Sequence, residues 1–296
     1  MSAAPRIDAP FLLGMMRLHE VPALHDRGRL ADWIEARLDE GLAWFDHADI
    51  YGDGQGEALF GAALRARPSL AGRVKVVTKA GIVTPERDAS RIGQRDTGIK
   101  HYDSSPAALT RAIDAALSRL GVERLDHFLI HRPDPLMEAA ATGRALDDAI
   151  AAGKIGAAGV SNFLPEQWRR LQAAMHHRLE AHQLQLSLDH ATPLFDGRYD
   201  ALVADGLAPL VWSPLGGGRV FQGPAVGLLD HLTGVHGATP AGVALAWLRA
   251  LPGRPVPVIG SLRAERIADL ARDADLALAR PEWYALLEAA RGHPVA

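Results

Sequence analysis

The sequence predicts an α/β fold in which eight parallel strands close into a (βα)8 TIM barrel, a single domain over residues 1–296. Short apolar runs rich in β-branched residues alternate with longer helical patterns, which is typical of a parallel sheet with helical crossovers. The length of 296 residues suits one barrel of this kind, and no Gly/Ser-rich linker divides the chain. Right-handed crossovers bring the carboxyl ends of all the strands to one face.

The elements follow one another in a regular order along the chain. Strands are predicted at residues 11–16, 43–47, 74–79, 127–131, 157–160, 182–186, 209–212 and 256–259. Amphipathic helices are predicted between them at residues 30–40, 57–67, 106–121, 145–153, 165–175 and 263–272. A further C-terminal helix, residues 281–290, lies outside the eight repeats.

A long polar loop after strand 3, residues 81–105, interrupts this regularity. Its basic and aromatic residues are Arg87, Arg91, Arg95, Lys100, His101 and Tyr102. Connections of this length are usually functional or disordered. We therefore expect the loop to act as a mobile lid that excludes water from a ligand site.

Composition narrows the possible functions. Hydrophobic residues make up 48% of the chain, which allows a large core, and the net charge is only -3. No basic run with interleaved aromatic residues is present, so nucleic acid is not an expected partner. Cysteine is absent, which excludes disulfides and thiolate chemistry. No signal peptide or membrane-spanning stretch is visible, and we expect a cytoplasmic monomer.

Four ionisable residues lie at or just beyond the ends of the second, third and fourth predicted strands: Asp46, Tyr51, Lys79 and His131. A buried ammonium needs a carboxylate partner, which Asp46 can supply to Lys79. The Lys79 charge favours phenolate and should lower the pKa of Tyr51 from about 10. An acid, a phenol, an amine and an imidazole at one mouth suit carbonyl reduction, where hydride reaches carbon and a proton reaches oxygen.

Each of these residues also has a plain structural interpretation. Asp46 alone could cap a turn, and Tyr51 could be a half-buried side chain that only packs against its neighbours. His131 could simply end a strand before a proline-rich turn. His47 and His127 lie near His131 in the sequence, but they come from different strands without metal-ligand spacing, so no metal site is expected. It is the combination of the four residue types at strand ends that favours a catalytic site.

Three later motifs suggest a ligand with a flat ring and phosphates. Residues 159–163 (Gly-Val-Ser-Asn-Phe) end a strand, and residues 212–219 place an aromatic residue before three glycines that allow close backbone approach. Residues 259–261 open the last repeat, where barrels often bind phosphate at a helix N-terminus. No Gly-x-Gly-x-x-Gly follows the first strand, so a dinucleotide would bind in a barrel-specific way.

Together these residues resemble the aldo-keto reductases over residues 11–278. The match is closest to a bacterial oxidoreductase subgroup with Asp-His-Ala-Asp-Ile-Tyr-Gly, Ile-His-Arg-Pro-Asp-Pro and Leu-Gly-Gly-Gly-Arg. The resemblance implies a barrel that binds NADP(H) across the strand ends and reduces small-molecule aldehydes or ketones without metal or flavin. It also implies that Tyr51 donates the proton, that Lys79 and Asp46 tune its pKa, and that His131 orients the carbonyl.

The same resemblance implies the cofactor contacts. Ser161, Asn162 and Gln183 would bind the nicotinamide carboxamide, and Trp212, in place of the more frequent Tyr, would stack on the ring. The full expected set is Met16, Arg17, Asp46, Ser161, Asn162, Gln183, Trp212, Ser213, Leu215, Gly216, Gly217, Arg219, Gly260, Ser261 and Arg266. Gly260 replaces the Lys that many members carry, which predicts a weaker preference for NADP(H) and some use of NAD(H). Arg263 or Arg266 can compensate, because a guanidinium grips phosphate bidentately.

Two other functions remain open at this point. One is a Schiff-base aldolase or isomerase on the same barrel, with Lys79 as nucleophile. A charged lysine paired with a carboxylate is a poor nucleophile, which makes this less suitable. The other is an NADP(H)-binding sensor or regulatory barrel with little turnover.

Overall fold

The computed structural model describes residues 7–85 and 99–295. Its strands are β1 (Leu12–Gly14), β2 (Trp44–Asp46), β3 (Lys75–Ala80), β4 (Ile82–Val83), β5 (His101–Tyr102), β6 (Leu125–Ile130), β7 (Ile155–Ser161), β8 (Leu179–Gln185), β9 (Ala208–Trp212) and β10 (Val256–Ile259). Eight of them close into a barrel in the order β1-β10-β9-β8-β7-β6-β3-β2, in which β1–β10, β10–β9, β2–β3, β3–β6 and β6–β7 pair in parallel. The predicted (βα)8 fold is therefore confirmed.

Three of the helices begin at a residue whose side chain caps the first turn. The helices are α1 (Arg27–Asp39), α2 (Gln55–Ala66), α3 (Pro106–Leu120), α4 (Ala139–Ala151), α5 (Pro165–Gln172), α6 (Arg198–Ala204), α7 (Val226–His236), α8 (Pro240–Arg249), α9 (Ala264–Arg272) and α10 (Arg280–Arg291). The side chains of Asp26, Ser105 and Thr239 each accept a backbone N–H from the first turn of α1, α3 and α8 respectively. Such caps satisfy N–H groups that have no partner inside the helix.

The chain divides into two compact units, one containing Gly14–His182 and the other containing Asp8–Leu13 and Gln183–Ala296. In the first unit the layer between β2 and α2 is aromatic, and the ring centroids of Phe45 and Phe60 lie 4.9 Å apart. The prediction of a single domain over the whole chain stays a prediction.

The second unit has a core helix that the sequence pattern did not reveal. In α8 every residue from Gly242 to Leu248 is buried, so the helix lacks the polar face that marks an amphipathic segment. Trp247 stacks on Trp283 of α10 with ring centroids 5.1 Å apart. Each indole N–H donates to the backbone carbonyl of the other tryptophan, at 3.2 Å and 2.8 Å.

The start of α4 and the segment 81–105 are among the places where the structure differs from the sequence-based expectation. Helix α4 begins at Ala139 rather than 145, and Gly143 in this added turn packs closely, since a Cβ there would lie 2.8 Å from the carbonyl oxygen of Ala174. The segment 81–105 is not simply an irregular loop, since β4 and β5 pair as an antiparallel hairpin. Residues 86–98, with Arg87, Arg91 and Arg95, lie outside the described residues, and the lid remains a prediction.

Within the described parts of the chain, no helix is long and apolar enough to cross a membrane.

Candidate active site

The centre of the candidate site is a buried ion pair between neighbouring strands. Asp46 ends β2 and is in register with Val77 of β3, and Lys79 lies two residues further along β3. Because side chains two apart share one face of a strand, both groups point the same way. The Lys79 Nζ donates to Asp46 Oδ1 and Oδ2, at 2.7 Å each, and to the carbonyl of His47 at 2.7 Å. Lys79 is 1% exposed and Asp46 2% exposed.

Lys79 stays protonated in this environment. Burial alone would lower its pKa, but the Asp46 carboxylate and the Tyr51 side chain outweigh burial and raise the pKa above its ordinary value. A lysine held this way carries a permanent positive charge near neutral pH. It therefore acts as an electrostatic element rather than as a free amine.

Tyr51 lies half-buried in the turn that follows β2, beside this ammonium. The Lys79 Nζ is 5.4 Å from the centre of the Tyr51 ring. The expected depression of the pKa of Tyr51 is wrong for the protein without ligand. Burial raises the pKa of Tyr51 above its usual 10, and the charge and hydrogen bond of Lys79 offset this rise only in part. The sequence indicates the charged neighbour but not the depth of burial, and burial dominates here.

His131 immediately follows β6 and faces the phenol. Its ring centroid is 6.2 Å from that of Tyr51, with an edge-on angle of 85°. The backbone of His131 is held from two sides: its N–H donates to the Ala80 carbonyl at 2.8 Å, and its carbonyl accepts from Asn162 Nδ2 at 3.3 Å. These bonds fix the imidazole relative to β3 and β7.

The imidazole of His131 is neutral at physiological pH. Burial, then the positive charges of Lys79, Arg132 and Lys100, lower its pKa well below the usual 6.5. A neutral imidazole offers one N–H donor and one acceptor. Its Nδ1 is buried and has no hydrogen-bond partner within the described residues. The ring can therefore donate a hydrogen bond that polarises an oxygen while it stays uncharged itself.

Two expected nicotinamide contacts lie next to this cluster in the same unit. Ser161 ends β7 and is 1% exposed, and Asn162 Nδ2 donates to Ser161 Oγ at 2.8 Å. Asn162 has a left-handed backbone conformation with φ 63°, which is uncommon for a residue with a side chain. Such strain often marks a functional position. Met16 and Arg17, just beyond β1, are exposed.

The second unit contains most of the remaining expected cofactor residues. Gln183 is 2% exposed in β8, and Trp212 ends β9 with partial exposure. Ser213 has φ 50°, and three consecutive glycines have φ 58°, 68° and 99°. A side chain would be strained at these glycines, so the turn requires Gly216, Gly217 and Gly218. The Arg219 Nε donates to Asp189 Oδ2 at 2.7 Å, with Leu215 preceding the glycines.

The start of α9 lacks a side-chain cap. Ser261 Oγ accepts the Arg263 N–H at 3.4 Å, while the N-cap position is Arg263, which makes no side-chain cap. The first-turn N–H groups of α9 are therefore not satisfied by a capping side chain. Arg263 lies 3.8 Å from Glu265, whereas no carboxylate among the described residues pairs with the exposed Arg266. Gly260 is exposed, and a Cβ there would meet no atom within 4 Å.

Sequence reasoning missed two features of the site. The His47 carbonyl binds Lys79, but any residue type can present a carbonyl, so no sequence signal exists for it. The His47 ring is fully buried and packs against Phe60 with centroids 4.8 Å apart.

In the described chain no group of three or more His, Cys, Asp or Glu side chains is arranged to hold a metal ion.

This closed barrel of eight strands belongs to the class of α/β-barrel oxidoreductases. The chain belongs to the Aldo/keto reductase family, whose profile it matches over residues 10–290.

Curated relatives cover nearly the whole chain. A 6-dehydroglucose reductase of Agrobacterium fabrum is 39% identical over 89% of this chain and 88% of its own length. The oxidoreductase YdhF of Escherichia coli is 38% identical over 90% of this chain and 89% of its own length. A 6-dehydroglucose reductase of Novosphingobium aromaticivorans is 38% identical, with 96% and 92% covered.

Solved structures agree in fold. The glycerol dehydrogenase of Gluconobacter oxydans superposes with a TM-score of 0.82 at 24% identity, covering 99% of this chain and 96% of its own. An aldo-keto reductase of Klebsiella pneumoniae in complex with NADPH gives a TM-score of 0.77 at 24% identity, covering 97% and 92%.

Proposed function

We propose that this protein is an NADP(H)-dependent oxidoreductase that reduces an aldehyde or ketone to an alcohol, with Tyr51 as the proton donor. The observation that carries the proposal is the cluster in the first unit. The Lys79 Nζ donates hydrogen bonds to both carboxylate oxygens of Asp46 and lies 5.4 Å from the centre of the Tyr51 ring. The Tyr51 ring in turn faces the His131 imidazole.

Each residue of the cluster has a separate task in the proposed reaction. When bound, the reduced nicotinamide supplies a hydride to the carbonyl carbon. His131, as a neutral donor, orients and polarises the carbonyl oxygen, while Tyr51 gives its hydroxyl proton to that oxygen. The Lys79 ammonium stabilises the phenolate that remains, and Asp46 keeps Lys79 charged and in place. In the oxidative direction the same phenolate takes the proton back.

Features in both units support NADP(H) as the cofactor. In the first unit, Ser161 and Asn162 present polar groups beside His131, with Asn162 in a strained backbone conformation. In the second unit, a three-glycine turn, the uncapped start of α9 and the exposed Arg266 suit phosphate groups. The aldo-keto reductase of Klebsiella pneumoniae that was solved in complex with NADPH adds support.

The names of two relatives suggest where a substrate search should begin. Both 6-dehydroglucose reductases, at 39% and 38% identity, are named for a sugar that carries an additional carbonyl group. We therefore propose hydroxylated aldehydes as the first substrate class. The two alternatives have less support: the ion pair with Asp46 disfavours Lys79 as a Schiff-base nucleophile, and the intact cluster disfavours a sensor without turnover.

The test is a panel of aldehydes and ketones, including 6-dehydroglucose, assayed with NADPH at the nicotinamide absorbance. We expect turnover with several carbonyls and none without cofactor. NADPH binding without turnover on any carbonyl would support the sensor instead. Trapping of substrate on Lys79 by borohydride would support the aldolase.

The first prediction is that Tyr51→Phe abolishes most carbonyl reduction while NADPH still binds. General acid catalysis contributes about 10²–10⁴-fold, and kcat should fall by an amount in this range. Tyr284→Phe is the matched control, because that phenol is 39% exposed on α10. Near-normal turnover in Tyr51→Phe would overturn the assignment of the proton donor.

A further inference from the structure

A buried carboxylate near the candidate site has no part in the chemistry proposed above. Asp134 follows His131 by three residues, in the motif Ile-His-Arg-Pro-Asp-Pro, and is 8% exposed. Closing its own turn would occupy only one oxygen of this carboxylate, so the contacts of the other oxygen decide whether Asp134 has a further role.

Both oxygens of Asp134 are occupied by donors. Oδ2 accepts the backbone N–H of Ser104 at 3.0 Å and the hydroxyl of Ser104 at 3.0 Å. Oδ1 accepts the backbone N–H of Leu136 at 2.8 Å. One oxygen thus binds a distant segment and the other closes the turn that follows His131.

Ser104 is held just as firmly from the other side. Its carbonyl accepts the hydroxyl of Thr142 in α4 at 2.9 Å, and both Ser104 and Thr142 are completely buried. Ser104 lies two residues after the end of β5, and the N–H of the intervening Asp103 donates to the Gly81 carbonyl at 3.0 Å. The network therefore joins the hairpin after β3 to the turn after β6.

These are the two segments that continue from the strands bearing Lys79 and His131. Lys79 lies near the end of β3, and the His131 N–H donates to the Ala80 carbonyl directly beside it. The far end of the turn is fixed as well, because Arg170 of α5 donates to the Met137 carbonyl at 2.9 Å. With Asp134 in the middle, the turn has little freedom to carry His131 away from Tyr51.

We propose that Asp134 is a positioning residue: by bonding Ser104 and its own turn, it holds the His131 imidazole at the distance from Tyr51 that carbonyl binding needs. Its direct partners are Ser104 and Leu136, so its effect on the reaction passes through His131. This inference rests on the proposed function for its kinetic readout, but its structural readout is independent of activity.

The test compares Asp134→Asn with a matched variant, Asp147→Asn. Asp147 is equally buried at 7% exposure, and its carboxylate accepts the backbone N–H groups of His176 and His177 at 2.8 Å and 2.9 Å. Both substitutions keep side-chain size and remove one charge that receives backbone donors. Only Asp134 belongs to the network next to His131.

We expect kcat/KM for the carbonyl to fall about ten- to a hundredfold in Asp134→Asn, since a misplacement of about 1 Å at a reacting group can cost ~10²-fold. NADPH affinity should be unchanged, and the loss of melting temperature should not exceed that of Asp147→Asn. Ser104→Ala removes only one of the bonds to Oδ2 and should give a smaller loss in the same direction. An equal fall of kcat/KM in both Asp variants would mean that Asp134 only supports the fold.

A double-variant cycle gives the sharper criterion. If Asp134 acts through His131, then adding Asp134→Asn to His131→Ala should cost no further activity, whereas independent effects would add. Full additivity would overturn the proposal.

The same variants also give a readout that needs no turnover. Hydrogen exchange at the backbone N–H groups of Ser104 and His131 should accelerate in Asp134→Asn and remain slow in Asp147→Asn. Unchanged exchange at His131 would overturn the proposal even if no carbonyl substrate is found. Faster exchange with no turnover in the unaltered protein would instead count against the proposed function alone.

Discussion

At the scale of single residues, two opposing effects act on the phenol of Tyr51. Burial favours the neutral hydroxyl, while the Lys79 ammonium favours the phenolate, and burial is the larger effect without ligand. A neutral phenol is the form that must be present before a carbonyl accepts a proton. In the proposed reaction the nearby ammonium then stabilises the phenolate that forms. The raised pKa is therefore compatible with the donor role, although it was not expected from sequence.

The second prediction concerns removal of the ammonium. Lys79→Met takes away the influence that lowers the pKa of Tyr51, so this pKa should rise further. In the oxidative direction, which needs phenolate, the pH at half-maximal rate should move upward, and reduction should slow by about 10²–10⁴-fold. A pH profile of alcohol oxidation with NADP+ measures the shift, and carbonyl reduction with NADPH measures the loss of rate.

The control must separate chemistry from folding. Removing Lys79 alone leaves a buried Asp46 carboxylate unpaired, at a cost of about 3–5 kcal/mol, so Lys79→Met should be combined with Asp46→Asn. Lys154→Met, whose ammonium pairs with Asp114 at 2.6 Å at the surface, is the matched single variant. Asp46→Asn also removes a smaller charge effect that raises the pKa of Tyr51, so the upward shift in the double variant should be reduced, and its complete absence would contradict the role of Lys79.

At the scale of elements, the packing of β2 on α2 includes an unsatisfied polar side chain. His47 is completely buried against Phe60, and within the described chain neither ring nitrogen has a hydrogen-bond partner. Burial, assisted by Lys79, lowers the pKa of His47 to about 3. The folded protein keeps this ring neutral at pH values where the unfolded chain binds a proton.

The third prediction follows from that difference. Above the unfolded pKa of about 6.5, His47 is neutral in both states and the free energy of unfolding is unaffected by its titration. Below that pH the unfolded chain binds a proton that the folded protein does not, so the free energy of unfolding falls by about 1.4 kcal/mol per pH unit down to the folded pKa of about 3. His47→Leu removes the proton that the unfolded chain binds at this position. The free energy of unfolding of the variant should therefore rise steadily, relative to that of the unaltered protein, from pH 7 to pH 5. Urea unfolding at several pH values measures the change. The exposed His293→Leu serves as control, and a pH-independent difference would refute the argument.

The start of α9 carries the fourth prediction. Arg266 is exposed and has no carboxylate partner in the described chain, so its charge is available to a ribose 2′-phosphate. A charged hydrogen bond contributes roughly 1.5–3 kcal/mol, so Arg266→Ala should weaken NADPH binding by about ten- to a hundredfold. NADH binding should change little. Fluorescence titration with both cofactors measures the two affinities.

Arg272→Ala is the control on the same helix, because Arg272 pairs with Asp269 in the last turn. Equal weakening of NADPH and NADH in Arg266→Ala would show that Arg266 supports the fold rather than the phosphate. A larger loss in Arg263→Ala would transfer the role to that residue.

At the scale of the whole molecule, the barrel strands followed from the sequence because short β-branched runs recur between helical patterns. The pairing of Lys79 with Asp46 was also foreseeable, since a buried ammonium requires a carboxylate. Helix α8 was not foreseeable, because a helix buried on all sides shows no polar face. The β4–β5 hairpin was missed because two-residue strands carry no period.

The role of Asp134 and the pKa of Tyr51 were missed for a different reason. Both depend on what surrounds a side chain in three dimensions: the Ser104 donors for one, the depth of burial for the other. Sequence spacing indicates which residues reach the strand ends. It does not indicate how much water remains there, nor which backbone N–H groups point at a given carboxylate.

The stacked indoles of Trp247 and Trp283 give the second unit an intrinsic optical reporter. Their planes lie within 7° of each other and each ring is tied to the other's backbone, so neither can rotate without breaking a hydrogen bond. Fixed, coupled chromophores produce a near-ultraviolet circular dichroism band that vanishes when the rings are released. The difference between the spectra of the unaltered protein and Trp283→Phe would isolate that band. Unfolding of α8 and α10 could then be followed without attaching a dye.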